Sequence, residues 1–326
     1  MFKNTVGFHT ALIHIKPAHY TLYMSNKIES QKKAEHEGSR FDPKMIKALA
    51  IDLDGTTLLP DTTLGERTLR CIRTLISRGM QIIIATGRAI ESSERFRSAM
   101  GAEGPMVFFN GAVVADVPSC KILSADLISL DVADFGADIA RDLGIHYQIY
   151  LPAGTSLEKD KENSEQKWET LVIDKKSPES EMYYRHTGIV PIEKDLKYIT
   201  AMPELKGCIK GMFIADPSLH DEIRKRMYGR FGDQISIMRS FPTFLEVLSS
   251  GISKGAGLNI AMQHRGLKPE EVIAFGDEEN DLSMFEAAGH SAAPSSAREI
   301  IRDAADIIYG SNAEEGLAIY LEEVFI

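Results

Sequence analysis

From residue 46 onward, apolar residues gather into short unbroken runs, and stretches of helical periodicity separate those runs. IKALAIDL (46–53) is a continuous apolar run that ends in acids, the pattern of a strand buried on both faces of a sheet. LGERTLRCIRTLISRG (64–79) puts Leu69, Ile72, Leu75 and Ile76 at helical spacing and stops on a glycine, which predicts a helix. MQIIIAT (80–86) predicts a second buried strand, 89–100 a second helix, and MVFFN (106–110) a short third strand. The alternation returns near the other end, with helix 254–265, strand EVIAF (271–275), helix 281–288, strand ADIIY (305–309) and helix 313–323. Strands and helices alternating through short loops predict an α/β fold, a doubly wound parallel sheet with right-handed crossovers.

The pattern changes between these two halves. Residues 126–240 contain a polar stretch (GTSLEKDKENSEQ, 154–166), the single tryptophan Trp168, and the alternating segments KGCIKGMFIA (206–215) and QISIMRS (234–240). We read them as an α+β domain inserted into the parallel one, whose own segments are then 45–125 and 241–326. Residues 1–44 differ again. They hold seven Lys or Arg against four Asp or Glu, and their second half is poor in apolar residues. Such a segment buries too little surface to offset its ordering entropy, so we expect a flexible extension, with Met45 an alternative start.

Composition narrows the function classes. The chain has 37 Lys and Arg against 47 Asp and Glu, a formal net charge of −10. That surface disfavours nucleic acid and anionic membrane as partners, while a local cation cluster or a metal ion can still reverse the sign inside one pocket. Cys71, Cys120 and Cys208 are widely spaced without a CxxC, and no run of 18 apolar residues occurs, so a soluble protein of the reducing cytoplasm is expected. Neither a GxGxxG after a strand nor a GxxxxGK is present. His146, His186, His220, His264 and His290 show no metal-ligand spacing and read as structural or exposed. Trp168, Tyr183 and Tyr184 line either a substrate cleft or the core and surface of the inserted domain.

Ligands of open parallel sheets bind beyond the carboxyl ends of the strands, so the loops there are searched first. The first strand runs into Asp52-Leu53-Asp54-Gly55-Thr56, and alternation along an extended backbone points Asp52 and Asp54 the same way. Two such carboxylates repel unless they share a proton or face a cation; a capping or turn role is the plainer alternative. Gly55 permits a tight turn, and the Thr56 hydroxyl can cap the segment after it. The second strand ends in Thr86-Gly87-Arg88, either an anion site at a helix start or, for Thr86, an N-cap. FGDEENDLSMF (275–285) packs Asp277, Glu278, Glu279, Asn280 and Asp281 into one loop. Glu278 and Glu279 read as solvated, whereas Asp277, placed after its strand as Asp52 is, can converge with Asp52 on a hard cation such as Mg²⁺. Lys254 opens a helix, where a cation opposes the helix dipole unless an anion binds beside it.

Taken together and in this order, these loops resemble the haloacid dehalogenase superfamily, and within it the Cof-type phosphatases with a large α/β cap. The matching segments are IKALAIDLDGTTL (46–58), IIIATGR (82–88), FFNGA (108–112), FLEVLSSGISKGAGL (244–258), VIAFGDEENDLSMF (272–285) and AADIIYGSNAEEGLA (304–318). The resemblance covers about 45–326, and residues 126–240 only by position. It implies that Asp52 is a nucleophile forming an aspartyl-phosphate and Asp54 a general acid and base. It implies Mg²⁺ held by Asp52, the Asp54 carbonyl and Asp277. Thr86, Lys254, Asn280 and the N–H groups of Leu53 and Gly87 would bind phosphoryl oxygens, with Asp281 supporting the metal or Lys254. The implied substrate is a small phosphorylated metabolite, a sugar phosphate above all. A phosphomutase, a dedicated sugar-phosphate phosphatase, a non-catalytic phosphometabolite sensor and a receiver-type phosphoacceptor are the alternatives. HSAAPSSA (290–297) departs from the family's glycine-rich segment through Pro294 and Ser295, and Thr57 stands where leucine is usual. Neither the oligomeric state nor the individual substrate is legible.

Overall fold

The computed structural model describes residues 41–119, 121–152 and 168–326. Most of the expected N-terminal extension, the polar stretch 154–166 and Cys120 lie outside these residues. The unit Pro43–Ile326 carries all the elements of the fold.

Its first half runs β1 (Ala48–Ile51), α1 (Glu66–Ser77), β2 (Gln81–Ile84), α2 (Ile90–Met100), β3 (Gly104–Phe108), β4 (Val113–Val117), β5 (Lys121–Ala125) and α3 (Leu130–Leu143). Then come β6 (His146–Pro152), β7 (Glu169–Ile173), α4 (Pro178–Thr187), β8 (Ile192–Glu193), α5 (Leu196–Thr200), β9 (Lys210–Ile214), α6 (His220–Phe231), β10 (Ile235–Phe241) and β11 (Phe244–Ser249). The chain closes with α7 (Lys254–Arg265), β12 (Val272–Phe275), α8 (Leu282–Ala287), β13 (His290–Pro294), α9 (Glu299–Ala304), β14 (Ile307–Tyr309) and α10 (Gly316–Phe325).

The apolar runs at both ends of the sequence meet in one five-stranded sheet, ordered β14-β13-β12-β1-β2, with every pairing parallel. All four residues of β1 are fully buried, because helices cover both faces of such a sheet. Helix α1 buries Thr68, Cys71, Ile72 and Leu75 on one stripe. Register matters for function. Ile51 pairs with Ile84 on one side and Phe275 on the other, so β1, β2 and β12 end at the same level. The residues just beyond them, near 52, 86 and 277, therefore emerge together along one sheet edge.

The third predicted strand behaves differently. Among the described residues β3 pairs with the β2 side only at the isolated bridge Ala85–Val107, just past β2, and its main partner is β4, antiparallel, in the separate sheet β3-β4-β5. Phe109, Asn110 and Gly111 all have positive φ, and this left-handed turn sends the chain straight back instead of into a parallel crossover.

The six-stranded sheet, ordered β10-β11-β9-β6-β7-β8, is antiparallel apart from the β7–β8 pair. Its last strand in the chain, β11, lies beyond residue 240 and joins because it pairs with both β9 and β10. Strand alternation gives the sheet two unlike faces. On one, Tyr147, Ile149, Leu151, Val172, Phe213, Leu245 and Val247 pack with Val132 and Ala137 of α3 and Ile223 and Met227 of α6. The other carries buried polar residues: Gln148, Tyr150, Glu169, Lys210 and Glu246. Register confirms the shared side, since Tyr150 pairs with Lys210 while Gln148 and Glu246 both pair with Met212.

Candidate active site at the carboxyl ends of the parallel strands

Directly after β1 the backbone folds into a tight loop. The Thr57 hydroxyl donates to the Asp52 carbonyl at 2.5 Å, and the Leu58 N–H donates to the Leu53 carbonyl at 2.8 Å. Gly55 sits at φ +78°, and a Cβ placed there would come within 2.1 Å of Asp277 Oδ2. Only glycine lets this turn approach the third strand end so closely. Thr56 caps no helix. Its hydroxyl donates to Asp277 Oδ1 at 2.7 Å, tying the first loop to the loop after β12.

Lys254 is 2% exposed and donates to Asp52 Oδ1 at 2.6 Å and to Asp281 Oδ1 at 2.7 Å. Its helix starts conventionally, with the Ser253 hydroxyl accepting from the Ala256 N–H. A Cβ at Gly255 would lie 2.0 Å from the Ser283 carbonyl, so the absent side chain lets α7 press against the acidic loop. Asp281 organises that loop, because its Oδ2 accepts from the N–H groups of Asp277 and Glu278 at 2.9 and 3.0 Å. The unfavourable position of a lysine at a helix start is thus offset by two carboxylates.

Burial dominates the electrostatics. It pushes the Asp52 carboxyl well above the usual range, Lys254 opposes that rise, and Asp281, Asp277 and Asp54 add to it. Burial and the charge of Asp281 raise Asp277 to about 7, against the Thr56 hydrogen bond and Lys254. For Lys254, burial favours the neutral amine, but Asp281 and Asp52 outweigh it and hold the ammonium charged. Asp52, Asp277 and Asp281 each offer an oxygen within 4.8 Å of the others. Both Asp281 oxygens are engaged by hydrogen bonds, whereas Lys254 and Thr56 each take one oxygen of Asp52 and Asp277. A second oxygen on each remains for a cation, and an all-oxygen set of elevated carboxylates suits a hard divalent ion.

Asp54 has its own cation. Its exposed carboxylate accepts a bidentate pair from Arg88, Nε to Oδ2 at 2.6 Å and Nη2 to Oδ1 at 2.5 Å. Asp52 and Asp54 are therefore separated by partner, one on Lys254 and the other on Arg88. Thr86 is fully buried but is not an N-cap, since the N-cap of α2 is Ala89. The Thr86 hydroxyl instead accepts from the Arg88 N–H at 3.1 Å. Gly87 faces Asn110, whose Oδ1 would lie 2.9 Å from a Cβ at that glycine. Asn110 donates its N–H to the Thr86 carbonyl and accepts from Asn280 Nδ2 at 2.9 Å. Asn280 Oδ1 is buried without a hydrogen-bond partner, so it has acceptor capacity to give.

The structure thus joins Asp52, Asp277, Asp281 and Lys254 in one cluster and pairs Asp54 with Arg88. Thr86, Gly87 and Asn280 meet around Asn110, and buried Leu53 lies in the turn between the two acids. Arg88 and Asn110 stand inside the sequence motifs, yet sequence reasoning gives them no role; their signal is adjacency to Thr86-Gly87 and to the glycine of FFNGA. Glu278 and Glu279, expected to be solvated, both contact Arg298. In the inserted segment, Tyr183 is buried and its hydroxyl meets that of Tyr150 at 2.5 Å, Trp168 is half-buried, and Tyr184 is exposed. Pro294 ends β13, and the Ser295 N–H donates to the Tyr309 carbonyl at 2.8 Å. No helix among the described residues is long and apolar enough to cross a membrane.

The sequence model of the haloacid dehalogenase-like hydrolases matches residues 49–321. The chain is 29% identical over 250 residues to the HMP-PP phosphatase of Serratia proteamaculans, covering 76% of this chain and 82% of that protein. It is 27% identical over 288 residues to the 5-amino-6-(5-phospho-D-ribitylamino)uracil phosphatase of Bacillus subtilis, covering 85% and 97%. A crystal structure from Thermotoga maritima superposes with a TM-score of 0.72 at 27% identity, over 86% of this chain and 98% of that one. With the strand-end acids, the buried lysine and a match that spans both the five- and six-stranded sheets, the chain belongs to the haloacid dehalogenase-like hydrolases and is a phosphoric monoester hydrolase of their Cof-type phosphatase group.

Proposed function

We propose that this protein is a Mg²⁺-dependent phosphatase that hydrolyses small phosphorylated metabolites, sugar phosphates in particular, through an aspartyl-phosphate. The observation that carries the reading is the buried Asp52 carboxylate, held at 2.6 Å by Lys254 and close enough to Asp277 to share a cation. In this reading an Asp52 oxygen attacks phosphorus as the ester P–O bond breaks, and Asp54 gives a proton to the leaving oxygen. Asp54 then takes a proton from water as that water attacks the phosphoaspartate, releasing inorganic phosphate and restoring Asp52. Arg88 fixes the orientation of Asp54 for both transfers. Lys254, the Thr86 hydroxyl, Asn280 and the N–H groups of Leu53 and Gly87 bind the phosphoryl oxygens, where positioned donors do most of the catalytic work. Asp281 positions Lys254. Asp52, the Asp54 carbonyl and Asp277 would hold Mg²⁺, which when bound supplies positive charge between an anionic nucleophile and an anionic phosphate.

The two parallel-sheet segments would form the catalytic domain, and the six-stranded sheet with its helices the cap that selects the leaving group and excludes water. The relatives from Serratia proteamaculans and Bacillus subtilis are called phosphatases of small phosphorylated compounds, which supports this substrate class. A reducing cytoplasm suits a chain with widely spaced cysteines. A phosphomutase or a phosphatase dedicated to one sugar phosphate is the second reading, favoured only by sharing the same site. Steady-state phosphate release from p-nitrophenyl phosphate and a sugar-phosphate panel tests the proposal. Turnover should require Mg²⁺ and vanish in Asp52→Asn; near-native turnover by that variant would sink it, and phosphate binding without release would point to a sensor.

A further inference from the structure

Helix α2 begins without a cap of its own. The residue at its N-cap, Ala89, has extended backbone and no side-chain oxygen, so the N–H groups of the first turn lack a local acceptor. The acceptor comes from 78 residues further along the chain. Glu169, the first residue of β7, reaches across from the polar face of the six-stranded sheet, and its Oε1 accepts from the Glu91 N–H at 2.8 Å. The neighbouring Ile90 N–H faces the same carboxyl and helps to hold its charge. Glu169 is 1% exposed, and its other oxygen, Oε2, is buried without a hydrogen-bond partner. A half-satisfied buried carboxyl is destabilising, so packing alone does not account for a glutamate here.

Its position does. Ile90 follows Thr86-Gly87-Arg88 after a single residue, so whatever holds the first turn of α2 also holds the Thr86 hydroxyl and the Arg88 guanidinium that grips Asp54. Burial raises Glu169 to about 8 against the hydrogen bond from the Glu91 N–H; the Glu91 carboxylate adds to the rise and Lys210 opposes it. Burial thus favours the neutral acid, which keeps an acceptor oxygen for these N–H groups.

We propose that Glu169 is a positioning residue: by capping α2 from the six-stranded sheet, it sets the Thr86–Arg88 segment in place only while that sheet is seated on the catalytic loops. The inference rests on the phosphatase reading for its consequence, but not for the contact itself. Seating of the one domain thereby completes the phosphate site of the other, without Glu169 touching substrate.

The test uses the full chain with Glu169→Ala and Glu169→Gln, read by p-nitrophenyl phosphate kinetics with Mg²⁺, hydrogen exchange at Ile90 and Glu91, and thermal melting. Glutamine is isosteric with the neutral acid and keeps the acceptor, so its kcat and exchange should stay within about 3-fold of wild type. Alanine should speed exchange at the start of α2 and lower kcat by about 10- to 100-fold per folded molecule, the scale of an ångström-sized misplacement. If alanine leaves both readouts unchanged, or speeds exchange with kcat intact, the positioning role is wrong. Equal damage from glutamine and alanine would also overturn it. Should alanine unfold the protein, glutamine near wild type carries the proposal and glutamine with lowered kcat refutes it. If wild type itself releases no phosphate, the phosphatase reading fails, and exchange alone still decides whether Glu169 caps α2.

Discussion

Asp277 gives the sharpest test of the cation site, because one substitution should change sign with metal. Its carboxyl stands at about 7 in the fold against 3.8 in the unfolded chain. A raised folded-state value means that stability is fully present below about pH 4 and is lost as pH rises through about 7. At roughly 1.36 kcal/mol per pH unit, that gap corresponds to about 4 kcal/mol when the ion-free protein sits at pH 8, and to less where Asp52 shares the titration. Asp277→Asn keeps the shape and an oxygen for the Thr56 hydroxyl but carries no charge. With a chelator at pH 8, the variant should melt higher than wild type by on the order of 10 °C, given about 2–4 °C per kcal/mol for domains of 150–250 residues, and by less where Asp52 shares the titration. At pH 4 the two should nearly coincide, because the carboxyl is then protonated in the fold and still largely protonated in the unfolded chain. Mg²⁺ should narrow the gap and reverse the order above roughly 1,000 times its dissociation constant, where a bound ion stabilises by about 4.1 kcal/mol, a gain the variant largely forfeits. Differential scanning fluorimetry over two pH values, with chelator or Mg²⁺, covers all four conditions. A variant less stable than wild type in chelator at pH 8, or an equal response of both proteins to Mg²⁺, would refute the reasoning.

The same cluster supports other expectations. Lys254→Met leaves Asp52 and Asp281, both buried, without their shared cation, and should cost about 3–5 kcal/mol in urea unfolding at pH 8. Because unpaired buried carboxylates are rescued by protonation, that loss should shrink toward pH 5; a pH-independent loss would show that the ammonium matters only as bulk. Asp54→Asn should stop turnover after one event, and acid-quenched protein should retain phosphate at Asp52. Unchanged steady-state rates would remove Asp54 from proton transfer.

Much of this site could be read in the chain before folding. Apolar runs that end in Asp52, Thr86 and Asp277 announce parallel strands whose polar ends carry chemistry, and a glycine such as Gly55 marks a turn that no other residue would allow. Periodicity also placed α7 at its observed limits, 254–265. These features are local, set by backbone geometry and by whether a segment is buried on one face or two. Their motif order also sufficed to identify the family.

Partnership was decided elsewhere. Lys254 meets Asp52 across 202 residues and Thr56 meets Asp277 across 221, because the order β12-β1-β2 brings distant strand ends to one level. Thr86 became a turn acceptor when the start of α2 moved on to Ala89 and its cap was supplied by Glu169. Strand β3 left the parallel sheet because Phe109-Asn110-Gly111 turns left-handed, which an apolar run alone does not reveal. The polar face of the six-stranded sheet appeared only when register set Lys210, Glu246, Tyr150 and Glu169 side by side. The sequence by itself determined which residues are able to do chemistry. The tertiary structure decided which of them share a proton, a cation or a hydrogen bond, since those depend on separations in space that spacing along the chain does not encode.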